Sequence, residues 1–197
     1  MAWALQFDGV NDYVTFPSWA ETGNFTITGT MDLNGTAGNW LSAASSNNTL
    51  LEEKADGDMY LRVGAGTLNT ISMGAVTGTI NFSISRAGTL VSYDLGGVTG
   101  SFTETDTMNI DRIGRRGAAA VYYSGTATGQ LILNGTTAGL RTYDYDVSDH
   151  GAGTVTVTDT SSAQDATGVN MPTDGSAWIE LITYNITAQE TITVTVP

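Results

Sequence analysis

Apolar and polar residues alternate along most of this chain, in short runs broken by Gly, Asn or Asp. A period of two places successive side chains on opposite faces of a strand, so each run predicts a half-buried β-strand. Ala4 to Phe7 and Tyr13 to Phe16 open the pattern. Phe25 to Leu33 sets Phe25, Ile27 and Met31 against Thr26, Thr28 and Thr30. Trp40-Leu41, Thr49 to Glu53, Met59 to Val63 and Thr67 to Met73 follow. Thr79 to Arg86 puts Ile80, Phe82 and Ile84 on one face, and Thr89 to Leu95 returns beside it. Asp111 to Gly114, Val121 to Ser124 and Gln130 to Leu133 continue the series. Ile179 to Val196 supplies final strands, either of the same domain or as an arm donated to a neighbour. No window carries a sustained helical period. Strand signals recurring about every 8–12 residues predict an all-β sandwich or barrel.

Composition sharpens this picture. Thr is about one residue in six and Gly is 24 of 197, a balance suited to many strands joined by tight turns. The length suits one domain over residues 1–197, large enough for a core without staples. Cysteine is absent, which excludes disulfides and thiolate metal sites. The net charge of −13 disfavours a nucleic-acid backbone or an anionic membrane as partner. No apolar run approaches the roughly 20 residues of a membrane-spanning helix. Nor does a basic segment followed by an apolar one open the chain, so synthesis in the cytoplasm without a signal peptide is expected. Six Asn-x-Ser/Thr sequons then follow from the abundance of Asn, Gly and Thr rather than from glycosylation.

Four segments carry a family resemblance. Ala4-Leu5-Gln6-Phe7-Asp8-Gly9-Val10-Asn11-Asp12-Tyr13-Val14 resembles the opening hairpin of laminin-G-like domains, the two-sheet jelly rolls also called concanavalin-A-like lectin/glucanase domains. The run from Phe82 to Gly97, with Arg86-Ala87-Gly88 at its turn and Tyr93 on the return, is similar to a later hairpin of that family. So is Ile110-Asp111-Arg112-Ile113-Gly114-Arg115, followed by Tyr122-Tyr123-Ser124-Gly125. Gly151-Ala152-Gly153-Thr154 through Asp159 to Ser162, with Trp178 beyond, resembles the return that closes such domains in phage and bacterial surface proteins. The chain departs from the pattern at Gln130-Leu131-Ile132-Leu133, where the family carries an acidic strand. The resemblance implies an antiparallel two-sheet jelly-roll sandwich of the concanavalin-A-like kind.

Candidate chemistry is sparse. Retaining glycosidases of this fold set two carboxylates at alternate positions of one strand, about 5–5.5 Å apart. No Glu-x-Asp-x-Glu run occurs: only Glu104 of the six Glu has an acid two residues away, Asp106, with no third acid at position 102 or 108, and Asp56 and Asp58 straddle Gly57 in a turn. His150 is the only histidine, which leaves no His-rich metal cage and no well-oriented triad. The chain is therefore expected to be non-enzymatic and to require no cofactor. Calcium is the ion its loops suit: Asp8, Asn11 and Asp12 form one oxygen-rich group, and Asp144, Asp146 and Asp149 another. The same residues also cap turns through their own side chains. Trp40, Tyr60, Tyr122, Tyr123 and Trp178 are candidate platforms for sugar rings, or core residues. Tyr122 and Tyr123 are adjacent, so in a strand they point to opposite faces. Arg115 and Arg116, close to Arg112, gather basic charge on an acidic chain, for internal salt bridges or for an acidic partner.

The resemblance of the closing segment implies a bacteriophage virion accessory protein, a capsid decoration or tail adhesion module that also binds host-surface glycans. Expected partners are other virion proteins, cell-surface glycans and further copies of the chain in a homo-oligomer. The expected location is the virion, with an extracellular lectin as the alternative setting. The alternative function is a calcium-dependent carbohydrate-binding lectin, and a glycoside hydrolase is disfavoured by the missing Glu-x-Asp-x-Glu run.

Overall fold

The computed structural model describes residues 2–44, 46–74, 76–116 and 121–182, and no helix occurs among them. In chain order the strands are β1 (Ala2–Asp8), β2 (Tyr13–Glu21), β3 (Phe25–Leu33), β4 (Gly38–Ala43), β5 (Ser46–Glu53) and β6 (Met59–Arg62). Then come β7 (Asn69–Ile71), β8 (Gly78–Ala87), β9 (Leu90–Leu95), β10 (Val98–Thr103), β11 (Met108–Ile113) and β12 (Ser124–Thr128). The last five are β13 (Gln130–Gly135), β14 (Gly139–Asp149), β15 (Thr156–Asp159), β16 (Ala166–Val169) and β17 (Trp178–Leu181). Every pairing is antiparallel.

One hydrogen-bonded sheet runs β10-β9-β8-β3-β13-β14-β15-β16-β2-β11-β4-β5-β6-β7. It folds over through β15 and β16, so that β2 lies against the inner face of β14. Trp19 of β2 donates its indole N–H to the Gly139 carbonyl at 3.0 Å, and the Phe16 and Tyr143 rings meet with centroids 4.8 Å apart. The result is a jelly-roll sandwich. A second sheet, β12-β1-β17, extends the first layer beyond the end of β13, and Thr30 of β3 bonds to Thr128 of β12. One continuous core, from Leu5 to Trp178, fills the space between.

Alternation explains the packing strand by strand. In β8, Ile80, Phe82 and Ile84 are buried while Asn81, Ser83 and Ser85 face outward. Two arginines go inward with them. Arg86 donates to the backbone carbonyls of Gly23, Glu21 and Asp106, and Arg141 donates to those of Pro17 and Ser18. They satisfy backbone carbonyls between the layers, where bare ones would be costly.

Three expectations are corrected here. The opening hairpin does not form: β1 pairs with β12 and β17 and β2 with β11 and β16, so residues 9–12 connect strands of two different sheets. The segment holding Asp144, Asp146 and Asp149 is not a loop but the second half of β14, whose inward residues Arg141, Tyr143 and Tyr145 alternate with the acids. Its pairing with β15 slips between Asp144 and Asp149, at the bend that turns one layer toward the other. Strand β10 falls in a stretch whose Thr, Gly and Ser gave no clear alternation. Of the expected closing strands, Trp178–Leu181 pairs with β1, and residues 183–197 lie outside the described residues.

Candidate functional site

The expected aromatic surface divides in two. Trp40 and Tyr123 are each 1 % exposed and Trp178 is 6 % exposed, so these three belong to the core, not to a binding face. β1 covers two of them: Phe7 lies edge-on to Trp40 and to Tyr123, at centroid distances of 6.0 and 5.6 Å. The Tyr123 hydroxyl takes the Asp32 N–H at 2.7 Å, and burial pushes its phenol well above the usual range. Trp178 closes an edge-to-face contact with His150, which stacks on Trp3 at 4.2 Å. His150 thus serves as the filling between two indoles, its Nε2 2.7 Å from the Tyr145 carbonyl oxygen.

Tyr60 and Tyr122 stay half-buried, on the outer face of the layer built from β2, β11, β4, β5 and β6. Arg115 and Arg116 lie beside them, where β11 runs on past Gly114 and Arg115 bridges to Tyr122. Arg115 sits against two rings, its guanidinium 4.9 Å from the Tyr13 centroid and 5.6 Å from that of Tyr122. Arg112 approaches the Tyr13 ring from β11 at 5.7 Å. Farther along, Arg116 reaches Glu52 at 3.4 Å, Glu52 lies across from Tyr60, and Lys54 stands 4.9 Å over the Tyr60 ring. The basic residues of the chain are Lys54, Arg62, Arg86, Arg112, Arg115, Arg116 and Arg141. With Arg86 and Arg141 spent inside, the other five share this one face.

Their partners differ. Arg112 pairs with Asp111 at 3.0 Å, Arg116 with Glu52, and Lys54 with Asp56 at 2.8 Å. Arg115 has no carboxylate partner among the described residues. Its two ring contacts orient a planar guanidinium whose fork suits carboxylate, sulfate or phosphate oxygens. Tyr13 had no place in the sequence-based site. Its signal was its position next to Asp12, at the start of β2, and only the fold brings it to Arg115.

The two acidic groups are spent in different ways. Asp144 takes the Gln130 amide and the Asp146 N–H, Asp146 takes the Trp3 N–H, and Asp149 takes the Gly151 N–H. Each of these three carboxylates closes its own local contact, and they do not converge. In the loop from β1 to β2, Asp8 Oδ1 accepts the N–H groups of Val10, Asn11 and Asp12 at 2.7 to 3.3 Å. Gly9 is needed there, because φ is +75° and an added Cβ would come 2.8 Å from that of Ser124. Burial pushes the Asp8 carboxyl up, but the three amides outweigh it and hold it below its ordinary value. Asn11 is exposed. No three His, Cys, Asp or Glu side chains gather as a metal-holding group among the described residues.

The opposite layer presents a different surface. Thr26, Thr28, Asn81, Ser83, Ser85, Asp94 and Asn134 form a field of hydroxyl, amide and carboxylate groups on β3, β8, β9 and β13. Two shallow depressions of about 450 and 420 Å³ lie on it, and each has one lining ring, Phe25 or Phe82, both buried. It lacks the exposed ring a sugar face stacks on.

No family model and no curated protein matches this sequence. Solved structures do match in shape. A candidate carbohydrate-binding protein of Bacteroides ovatus superposes with a TM-score of 0.63 at 12 % identity, over 85 % of this chain. This chain spans 58 % of that protein's length. The native heptameric SAP-like pentraxin of Limulus polyphemus superposes with a TM-score of 0.50 at 15 % identity, over 70 % of this chain and 78 % of that one. The likeness is one of fold. It agrees with the antiparallel sandwich seen in the strand pairing.

Proposed function

We propose that this chain is a non-catalytic saccharide-binding module whose site is the Tyr13–Arg115–Tyr122 face, and that it takes saccharides bearing a carboxylate or sulfate. The carrying observation is Arg115, oriented by two half-buried rings and without a carboxylate partner among the described residues, on a protein of net charge −13. Aromatic rings offer an apolar platform to a sugar face, and a guanidinium fork selects the charged substituent. The fold shared with a candidate carbohydrate-binding protein supports the same reading. Glu21 and Glu104 are occupied as acceptors of loop amides, which favours binding over hydrolysis.

The test is an array of neutral, uronate-containing and sulfated saccharides. Acidic members should be retained and neutral ones should not. Arg115→Ala should weaken binding at least tenfold, since a hydrogen bond to a charged group contributes about 1.5–3 kcal/mol. An array on which nothing is retained overturns the reading. A second reading, a virion accessory role, is favoured by the Gly151–Ser162 return and its likeness to phage surface domains. Co-sedimentation with purified particles tests it.

A further inference from the structure

We propose that the β1–β2 loop binds one calcium ion between Asp8 and Asp12, at the cavity that the loop shares with residues 172–177. Asp12 carries this inference. It is 3 % exposed, its Oδ2 takes the Asp8 N–H at 3.2 Å, and its Oδ1 is buried with no hydrogen-bond partner. A buried carboxylate oxygen without a partner is costly. A second carboxylate stands beside it: Asp8, whose own N–H Asp12 accepts, takes the loop amides on Oδ1.

Both acids line a cavity of about 290 Å³, together with Gln6, Pro172, Ser176 and Ala177. Its polar side chains carry carboxylate, amide and hydroxyl oxygens, the donors a hard cation selects, and calcium takes six to eight of them in flexible geometry. Carbonyl oxygens and water complete such a number. Burial first, and the Asp8 charge second, push the Asp12 carboxyl above its ordinary value. A divalent cation removes both costs together, whereas a bridging water would leave the charge repulsion in place. Calcium suits the irregular set better than magnesium, which demands a near-ideal octahedron. The ion would join the β1–β2 loop to the segment leading into β17. Its assignment does not depend on the saccharide reading.

The test uses the full chain stripped with chelator. Calcium chloride is titrated in by calorimetry, with magnesium chloride as comparator, and melting is followed with and without calcium. A single site with Kd on the order of 10⁻⁴ M is expected, in the range of extracellular modules, together with a rise in melting temperature. Asp12→Asn and Asp8→Asn keep the amide contacts through their side-chain oxygens, so both should fold. Each should weaken calcium at least tenfold, and Asp58→Asn, in a separate turn, should leave it unchanged. No heat and no melting shift up to 10 mM calcium (about a hundred times that Kd) would overturn the site. Equal affinity for magnesium would overturn the choice of ion, and unchanged calcium binding in Asp12→Asn would overturn the location.

Discussion

Two buried carboxylates bracket β2, and they are treated in opposite ways. Glu21 ends the strand, is 0 % exposed and accepts the N–H groups of Gly23, Thr137 and Ala138, with the Thr136 hydroxyl beside it. Burial pushes its carboxyl up, and the amides of Ala138, Thr137 and Gly23 outweigh that and hold it below its ordinary value. Asp12 precedes the strand, is nearly as buried, and has one amide and one empty oxygen. Burial by itself therefore does not decide whether an acid is structural. Glu21 clasps the β13–β14 turn against the other layer and completes its hydrogen bonds within the chain. Asp12 is complete only with something added.

The comparison breaks most readily at Glu21. Glu21→Ala leaves three part-buried amides unpaired, at about 1–3 kcal/mol each when nothing replaces the acceptor. A loss of about 3–5 kcal/mol is expected, which for a chain of this size lowers the melting temperature by roughly 10 °C. A drop below 2 °C (under about 1 kcal/mol) would mean that water replaces the carboxylate at no cost. Next in size is Gly114→Ala, at the Asp12 end. Gly114 has φ +87°, and an added Cβ would lie 2.8 Å from the Phe7 ring and 3.4 Å from the Asp12 carbonyl oxygen. A cost of about 1–3 kcal/mol in urea unfolding is expected from the strain and the overlap.

Asp12→Asn sharpens the contrast with a smaller effect whose sign changes. In chelator it relieves the repulsion with Asp8 and should raise stability by about 1 kcal/mol, where Glu21→Gln lowers it. In calcium the order reverses, and the unmodified chain melts higher. Acid titration gives the smallest effect. The folded Glu21 carboxyl lies below its ordinary value of 4.5, so its contribution is full above that value and is lost as pH falls through the folded one. The folded Asp12 carboxyl lies above its ordinary 3.8, so in chelator the chain is relieved as pH falls through the raised value. Melting curves between about pH 3 and 7 should therefore bring Glu21→Ala and the unmodified chain together at the acid end. The gain from Asp12→Asn should shrink over the same range. A gain independent of pH would remove charge as its cause.

Much of the fold could be read from alternation. β1, β2, β3, β8 and β9 lie close to where the pattern put them, because one face of each meets the core and the other meets water. β14 escaped notice because its outward residues are acids and three of its inward ones are Arg141, Tyr143 and Tyr145, a mixture that resembles a polar loop. At the site, Tyr60, Tyr122, Arg115 and Arg116 were recognisable by type and remain on one outer face. Trp40, Tyr123 and Trp178 looked identical to them in sequence. Period two separates the faces of a strand without saying which face another layer will cover.

The sequence by itself determined that this is an all-β chain, poor in basic charge, without thiol chemistry, and opening on an Asp8–Asp12 turn. These properties depend on residue type and near neighbours, which local sterics and side-chain chemistry settle. Only the tertiary structure decided that Arg86 and Arg141 turn inward while Arg115 lies between Tyr13 and Tyr122. It alone decided that Trp3, His150 and Trp178 meet, and that Glu21 is satisfied where Asp12 is not. Each of these depends on which distant strands share a layer and on what the second layer covers, and no local pattern encodes contacts across a hundred residues of chain.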